Sequence, residues 1–385
     1  MKTASDRARI AVLGYIVRGP LGGLAWHHAQ YVAGLSDARH EVLFLEDSGD
    51  SPFCCYDPVR GLTDDNPGYG LTFAADLFSG LGLAERWAYL DRRRNQWLGP
   101  AAPRIPDFIA TADIVLNLSL ANEPAHGLEV RPLRIAVDTD PVFTQIRNLT
   151  EPGRRNLTEA HNRFFTYGAN LPCPDAPADG IAWRPTRQPV VLRHWPVTPG
   201  KLEAPYTTVM QWDSYSEREW GGRRYGQKSL SFQPFMDIPR RSAARLEIAL
   251  GSPHAPRAEL RAAGWSLKDP REAVGTPWAF QEYLRASKGE FAVAKHGYAT
   301  ARCGWFSDRT AAYLASGRPA VVQDTGFTDW LSAPGGVLAF RDADEAVARI
   351  EEVEADYAKH CRLAREVAEE YFEAGKVLDA LLEGM

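Results

Sequence analysis

With 385 residues and 45% apolar side chains, the chain has material for two hydrophobic cores. Its net charge of -5 and pI near 6, with arginines interspersed among acids, offer no basic face for nucleic acid or an anionic membrane, so neither partner is expected. The five cysteines (54, 55, 173, 303 and 361) carry no CxxC or Cys/His metal spacing, which reads as reduced thiols in a cytoplasmic protein. The apolar run Ile10 to Val17 is far too short for a transmembrane segment, and no basic-apolar leader precedes it.

Residues 9–17 (RIAVLGYIV) predict a buried strand, followed by a glycine-bearing turn and a helix from about Leu24 to Leu35. A second strand, HEVLFLE, starts at His40. Gly22 and Gly23 allow a ligand or another backbone to approach the start of the helix closely. The GxGxxG spacing is missing, so a nicotinamide cofactor is not indicated. Residues 48–70, rich in Ser, Pro, Gly and Asp, read as a long binding loop or lid, and 72–98, with Trp87 and Trp97, as helical. DIVLNL (113–118) and LRIAV (133–137) are strands that end in polar clusters holding Asn122, and Asp138 and Asp140, respectively. Positions just past the carboxyl ends of parallel strands are where α/β sheets build sites. Residues 163–167 and 189–192 read as further strands of the same sheet.

The proline-rich stretch 194–205 reads as an inter-domain linker. A second α/β pattern follows: a strand at 207–212, an insertion with Gly221 and Gly222, a helix from Lys228 and the strand LEIAL at 246–250. Next come a helix at 256–264, a strand or loop at 265–269 that includes Lys268, and a helix at 277–288. Residues 290–326 form a βαβ unit: a short strand, a glycine-bearing loop, a helix capped by Ser307 or Asp308 and closed by Gly317, and the strand Ala320 to Gln323. Free N–H groups and the dipole at that helix start favour an anion, and Lys295, Arg302 and Arg309 add positive charge. Helical stretches at 342–357 and 358–382 close the chain. The fold class is α/β, with two Rossmann-like doubly wound domains in tandem and a helical tail.

Several of these segments resemble the GT-B glycosyltransferases, in particular the large bacterial group 1 family. Gly22, Gly23 and His27, followed after the helix by His40-Glu41-Val42, are similar to that family's glycine pair, histidine and "GHEV" segment. Lys228, ahead of LEIALG, is similar to its phosphate-contacting lysine, and residues 311–322 (AAYLASGRPAVV) to its "EAMAxGxPVV" helix and strand. Residues 340–348 (FRDADEAVA) are similar to its following "DxEEAA" helix. The resemblance implies two domains facing a central cleft: an acceptor domain, 1–197 plus a crossover helix 362–385, and a nucleotide-sugar donor domain, 203–361. It implies transfer of a sugar from a nucleotide-diphosphate sugar to a hydroxyl of a glycan or small molecule, with no cofactor and no metal. One departure stands out. The two glutamates, eight apart, of retaining members fall here on Gly304 and Ala312.

Glycosyl transfer builds negative charge on the leaving diphosphate, so cationic groups and N–H donors are the expected stabilisers. The candidate donor residues are Arg224, Lys228, Lys268, Lys295, Ser307, Asp308, Arg309 and Thr310, with Lys268 in the loop where the resemblance puts the nucleobase, and Gly22 and Gly23 lie near the donor phosphate. Asp138 and Asn122 are expected to bind acceptor. Histidine is the usual base at neutral pH. Neighbouring helical positions point about 100° apart, so one of His27 and His28 faces the cleft; the spacing match favours His27, with Asp140 as the alternative base. An epimerase or hydrolase on the same frame, or a non-catalytic sugar- or partner-binding protein, are the competing readings.

Overall fold

The structure, a computed structural model, describes residues 7–51, 53–124 and 127–383. Its first sheet has eight strands, in the order Arg184–Pro185, Arg163–Thr166, Leu133–Asp138, Ile114–Leu118, Arg9–Leu13, Glu41–Asp47, Trp87–Asp91 and Gln96–Leu98. Every pairing is parallel except the last. The inner strands are buried on both faces, which explains their unbroken apolar runs. Strand order reverses between Arg9–Leu13 and Ile114–Leu118, so a crevice opens beyond their carboxyl ends.

The second sheet repeats this plan with six parallel strands, ordered Ser266–Lys268, Leu246–Leu250, Tyr206–Met210, Gly289–Ala292, Ala320–Gln323 and Val337–Phe340. Its reversal lies between Tyr206–Met210 and Gly289–Ala292. The doubly wound pattern expected from the sequence is therefore present twice. One apolar cluster runs from Ile10 and Val12 through Trp26 and Trp195 to Ala311, Leu314 and the tail residues Phe372 and Leu378, so the two halves share packing. A second cluster, around Phe232, Trp265, Phe291 and Phe340, belongs to the second sheet.

The tail crosses back as expected. Tyr357–Val367 leads through a π-helical turn, Ala368–Phe372, into Ala374–Leu382. The Val190 N–H donates to Phe372 O and the Ala374 N–H to Val190 O, and Leu378 packs against Gly34. The last two positions of the expected helix 362–385 lie outside the described residues.

Several elements differ from expectation. Within 72–98 only Gly68–Gly80 supplies helix; Trp87–Asp91 and Gln96–Leu98 are strands, because this aromatic-rich segment pairs with the buried Glu41–Asp47. The 48–70 segment contains a short hairpin, Cys55–Asp57 with Leu62–Asp64. Residues 189–192 give one isolated bridge, from Val190 to Glu373, in place of a strand. The glycine-bearing loop after Lys295 includes a short helix, His296–Ala301. No described helix is long and apolar enough to cross a membrane.

Candidate active site

The helix Gly22–Asp37 starts at the first crevice and Asp308–Ala315 at the second. Ser307 caps the latter by accepting the Arg309 N–H at 3.2 Å, and the Ala311 N–H goes to Ser307 O. The N–H groups of Asp308 and Thr310 have no helical partner, the usual condition of a first turn. His27 and Asp308 bring the two helix starts together: His27 Nδ1 lies 3.6 Å from Asp308 Oδ2. His27 Nε2 is buried and has no hydrogen-bond partner. Burial lowers the His27 pKa against the opposing pull of Asp308, so the ring is neutral at pH 7. A carboxylate beside Nδ1 favours the proton there and leaves Nε2 as an acceptor.

His28 does something else. Its Nε2 accepts the Tyr15 N–H at 3.3 Å, its Nδ1 lies 2.9 Å from Leu24 O, and the ring packs on Gly14. It holds the loop after the first strand.

Arg309 reaches back into the second sheet. Its Nε donates to Glu290 Oε1 at 2.5 Å and its NH1 to Val209 O at 2.8 Å. Lys228 lies beside it and forms no ion pair among the described residues. Burial, then the Arg309 charge, pushes the Lys228 pKa well down. Two cavities of about 20 Å³ flank Arg309, one lined by Gly23, Trp26, His27 and Asp308, the other by Lys228, Ser307 and Thr310. Each has room for about one water.

Other candidates are drawn into contacts between the halves. A Cβ on Gly22 would lie 2.4 Å from Thr276 O, and one on Gly23 2.9 Å from Phe280, so the close approach these glycines allow is made by the second half of the chain. Trp26 Nε1 donates to Pro277 O at 2.7 Å beside them. Asp140 accepts from Lys295 at 2.8 Å, Arg147 at 3.0 Å, Tyr215 at 2.5 Å and also Tyr298. Burial opposes its charge, but Lys295 and Arg147 hold its pKa far below the usual carboxylate range, which makes it a weak proton acceptor.

Asp138 is buried and accepts from Thr166, Gln145 and the Asp140 N–H, so it shapes the turn that presents Asp140. Asn122 is also buried, between Gly14 O, the Asp47 N–H and Arg18. Arg224 pairs with Glu217 on an exposed hairpin, and Lys268 is exposed on the edge strand; neither converges on His27. Gly304 has φ +78°, and a Cβ there would lie 2.8 Å from the Asn170 backbone nitrogen, so a glutamate does not fit this loop.

Sequence reasoning missed two residues. Glu46, at the end of its strand, accepts the N–H groups of Ile16, Val17 and Arg18 at 2.6–2.7 Å. Glu290 carries the counter-charge for Arg309. Both sit in apolar strands, and an acid interrupting such a run was the available signal.

No protein-family profile matches the chain, and no curated protein matches it in sequence. Its fold is nonetheless shared along almost its whole length. An alpha-glucosyltransferase in complex with UDP-glucose and DNA containing an abasic site superposes with a TM-score of 0.59 at 10% identity, over 97% of this chain and 98% of the other. Sucrose-phosphate synthase from Thermosynechococcus elongatus gives 0.52 at 11% identity, over 96% of each chain. Anabaena HepE in complex with UDP and glucose gives 0.52 at 11%, over 98% and 100%. The fold is GT-B. The expectation that nucleic acid is excluded as a partner is overturned, since proteins of this fold and extent are found holding DNA. Net charge averages over a surface, whereas a nucleic acid meets the local distribution of charge.

Proposed function

We propose that the protein transfers a sugar from a nucleotide-diphosphate sugar to an acceptor hydroxyl, in the crevice between its two sheets. The observation that carries this reading is the meeting of two doubly wound sheets at His27 and Asp308, where the imidazole turns Nδ1 to the helix start and keeps Nε2 unpartnered, with a buried lysine that forms no ion pair among the described residues nearby. The donor half is 203–361; the acceptor half is 1–197 with the tail from 362. Developing charge on the diphosphate is stabilised by the N–H groups of Asp308 and Thr310 and by Lys228. Arg309, paired with Glu290, fixes the position of that helix, and Lys295 lies at the cleft, on Asp140. His27 Nε2 takes the proton of the acceptor hydroxyl, and Asp308 orients the ring. The chemistry needs no cofactor and no metal, and the unpaired cysteines suit a cytoplasmic protein.

The test is product analysis with UDP-, GDP- and ADP-sugars against glycan, small-molecule and duplex-DNA acceptors. Nucleoside diphosphate release that depends on an acceptor supports transfer. A sugar altered or hydrolysed with no acceptor present sinks it in favour of an epimerase or hydrolase. Gly304 favours one further reading, a frame that binds without catalysis, because its backbone excludes a glutamate. Calorimetry separates the two: a frame that binds only a sugar or a partner shows no heat with any nucleoside diphosphate.

A further inference from the structure

Arg187 stands apart from the other inward-facing arginines. Arg309 answers Glu290, and the buried Arg318 donates to Thr198 O and Arg285 O. Arg187 forms no ion pair and no side-chain hydrogen bond among the described residues, and its Nε is buried without a partner. The guanidinium is nevertheless held in place, 4.4 Å over the Trp330 ring. Burying part of a charge with no acceptor is costly, and charged groups so placed in a cleft are candidates for a functional site.

Arg187 lines a cleft of about 340 Å³ between the end of the edge strand Arg184–Pro185 and the tail. That volume falls in the range of small-molecule sites. Lys376 and the half-buried Tyr371 share the polar wall, and Phe165, Val377 and Leu381 form the apolar one. The Lys376 ammonium likewise forms no ion pair among the described residues; its Nζ donates to Glu369 O at 2.8 Å. Tyr371 and Glu370 belong to the π-helical turn Ala368–Phe372, a distortion that recurs at functional sites. Glu370 lines the cleft beyond ion-pair distance of Arg187 and limits the charge that a ligand can carry.

We infer that this cleft is a second ligand site, distinct from the nucleotide crevice, that takes an oxyanion carried on a small apolar body, with Arg187 as its anchor. A planar guanidinium stacked on an indole presents its free edge to a carboxylate or phosphate with little further ordering. The inference does not depend on glycosyl transfer.

Calorimetric titration of the full chain with phenyl phosphate, benzoate and inorganic phosphate tests it. At least one aromatic anion is expected to bind saturably and at least tenfold tighter than inorganic phosphate, and the better of the two names the oxyanion. Binding should persist with UDP at saturation, and Arg187→Gln should weaken it at least tenfold without lowering the melting temperature. Should that variant fail to fold, Lys376→Gln, on an exposed side chain, is expected to weaken binding at least threefold. Displacement by UDP, affinity kept within twofold in the variants, or the absence of saturable binding overturns the proposal.

Discussion

Beyond the first sheet, the loop Gly14 to Arg18 turns three backbone N–H groups onto the Glu46 carboxylate, and Asn122 ties down the same loop. Beyond the second sheet, the start of Asp308–Ala315 keeps free N–H groups beside Lys228, which feels the charges of Glu290 and Asp308 but forms no ion pair among the described residues. The same topological opening is thus filled from within in one half and left electrostatically incomplete in the other. An anion would meet free N–H donors and Lys228 in the second crevice, and its charge would favour the protonated amine; in the first, the Glu46 carboxylate already accepts the N–H groups of the loop. This division supports the proposal that the second half holds the donor, and does so independently of the glycine pair.

The most severe break is expected at the junction. His27→Ala should lower turnover by about 10²–10⁴ while nucleotide affinity stays within about twofold. His28→Ala should instead lower the melting temperature, because it removes the support under Gly14 and Tyr15. Equal, modest losses of turnover from the two would return His27 to a structural role.

Glu46→Gln strikes the filled crevice. Removing a buried carboxylate that answers Arg18 and three N–H groups should cost about 3–5 kcal/mol, read from denaturant unfolding. Nucleotide affinity per folded molecule should not change; if it falls, the first crevice also holds donor.

Lys228→Met tests the incomplete crevice. Nucleoside diphosphate affinity should fall about ten- to a hundredfold, roughly 1.5–3 kcal/mol, while the ligand-free protein becomes more stable. Burial sets the folded-state pKa of Lys228 well below the ordinary 10.5. Between that lowered value and 10.5 the unfolded chain binds more protons, so ligand-free stability rises with pH there, and the variant should lose this rise. The smallest effects belong to Arg224→Ala and Lys268→Ala, exposed and distant from His27, which should leave nucleotide affinity within about twofold.

What was legible in the sequence follows from burial. Strands covered on both faces give continuous apolar runs, so Arg9–Leu13, Ile114–Leu118 and Ala320–Gln323 could be read directly. Trp87–Asp91 could not, because its amphipathic spacing fits a helix until the pairing with Glu41–Asp47 is known. The Ser307 cap was local and readable. The partnership of Asp140 with Lys295 joins residues 155 apart in the chain, and Gly22 meets Thr276; neither residue type nor spacing announces such contacts. Nothing local distinguishes His28, held by Tyr15, from His27, met by Asp308.

The tail helix that closes over Gly34 also sets an order of events during synthesis. Leu378 and the Val190–Glu373 bridge complete a face whose other residues leave the ribosome early. At about 5–20 residues per second, the nascent chain carries that apolar face uncovered for on the order of tens of seconds, while the whole second sheet is made. The first half therefore reaches its final packing last, and for that interval it is the segment most exposed to chaperones and to aggregation.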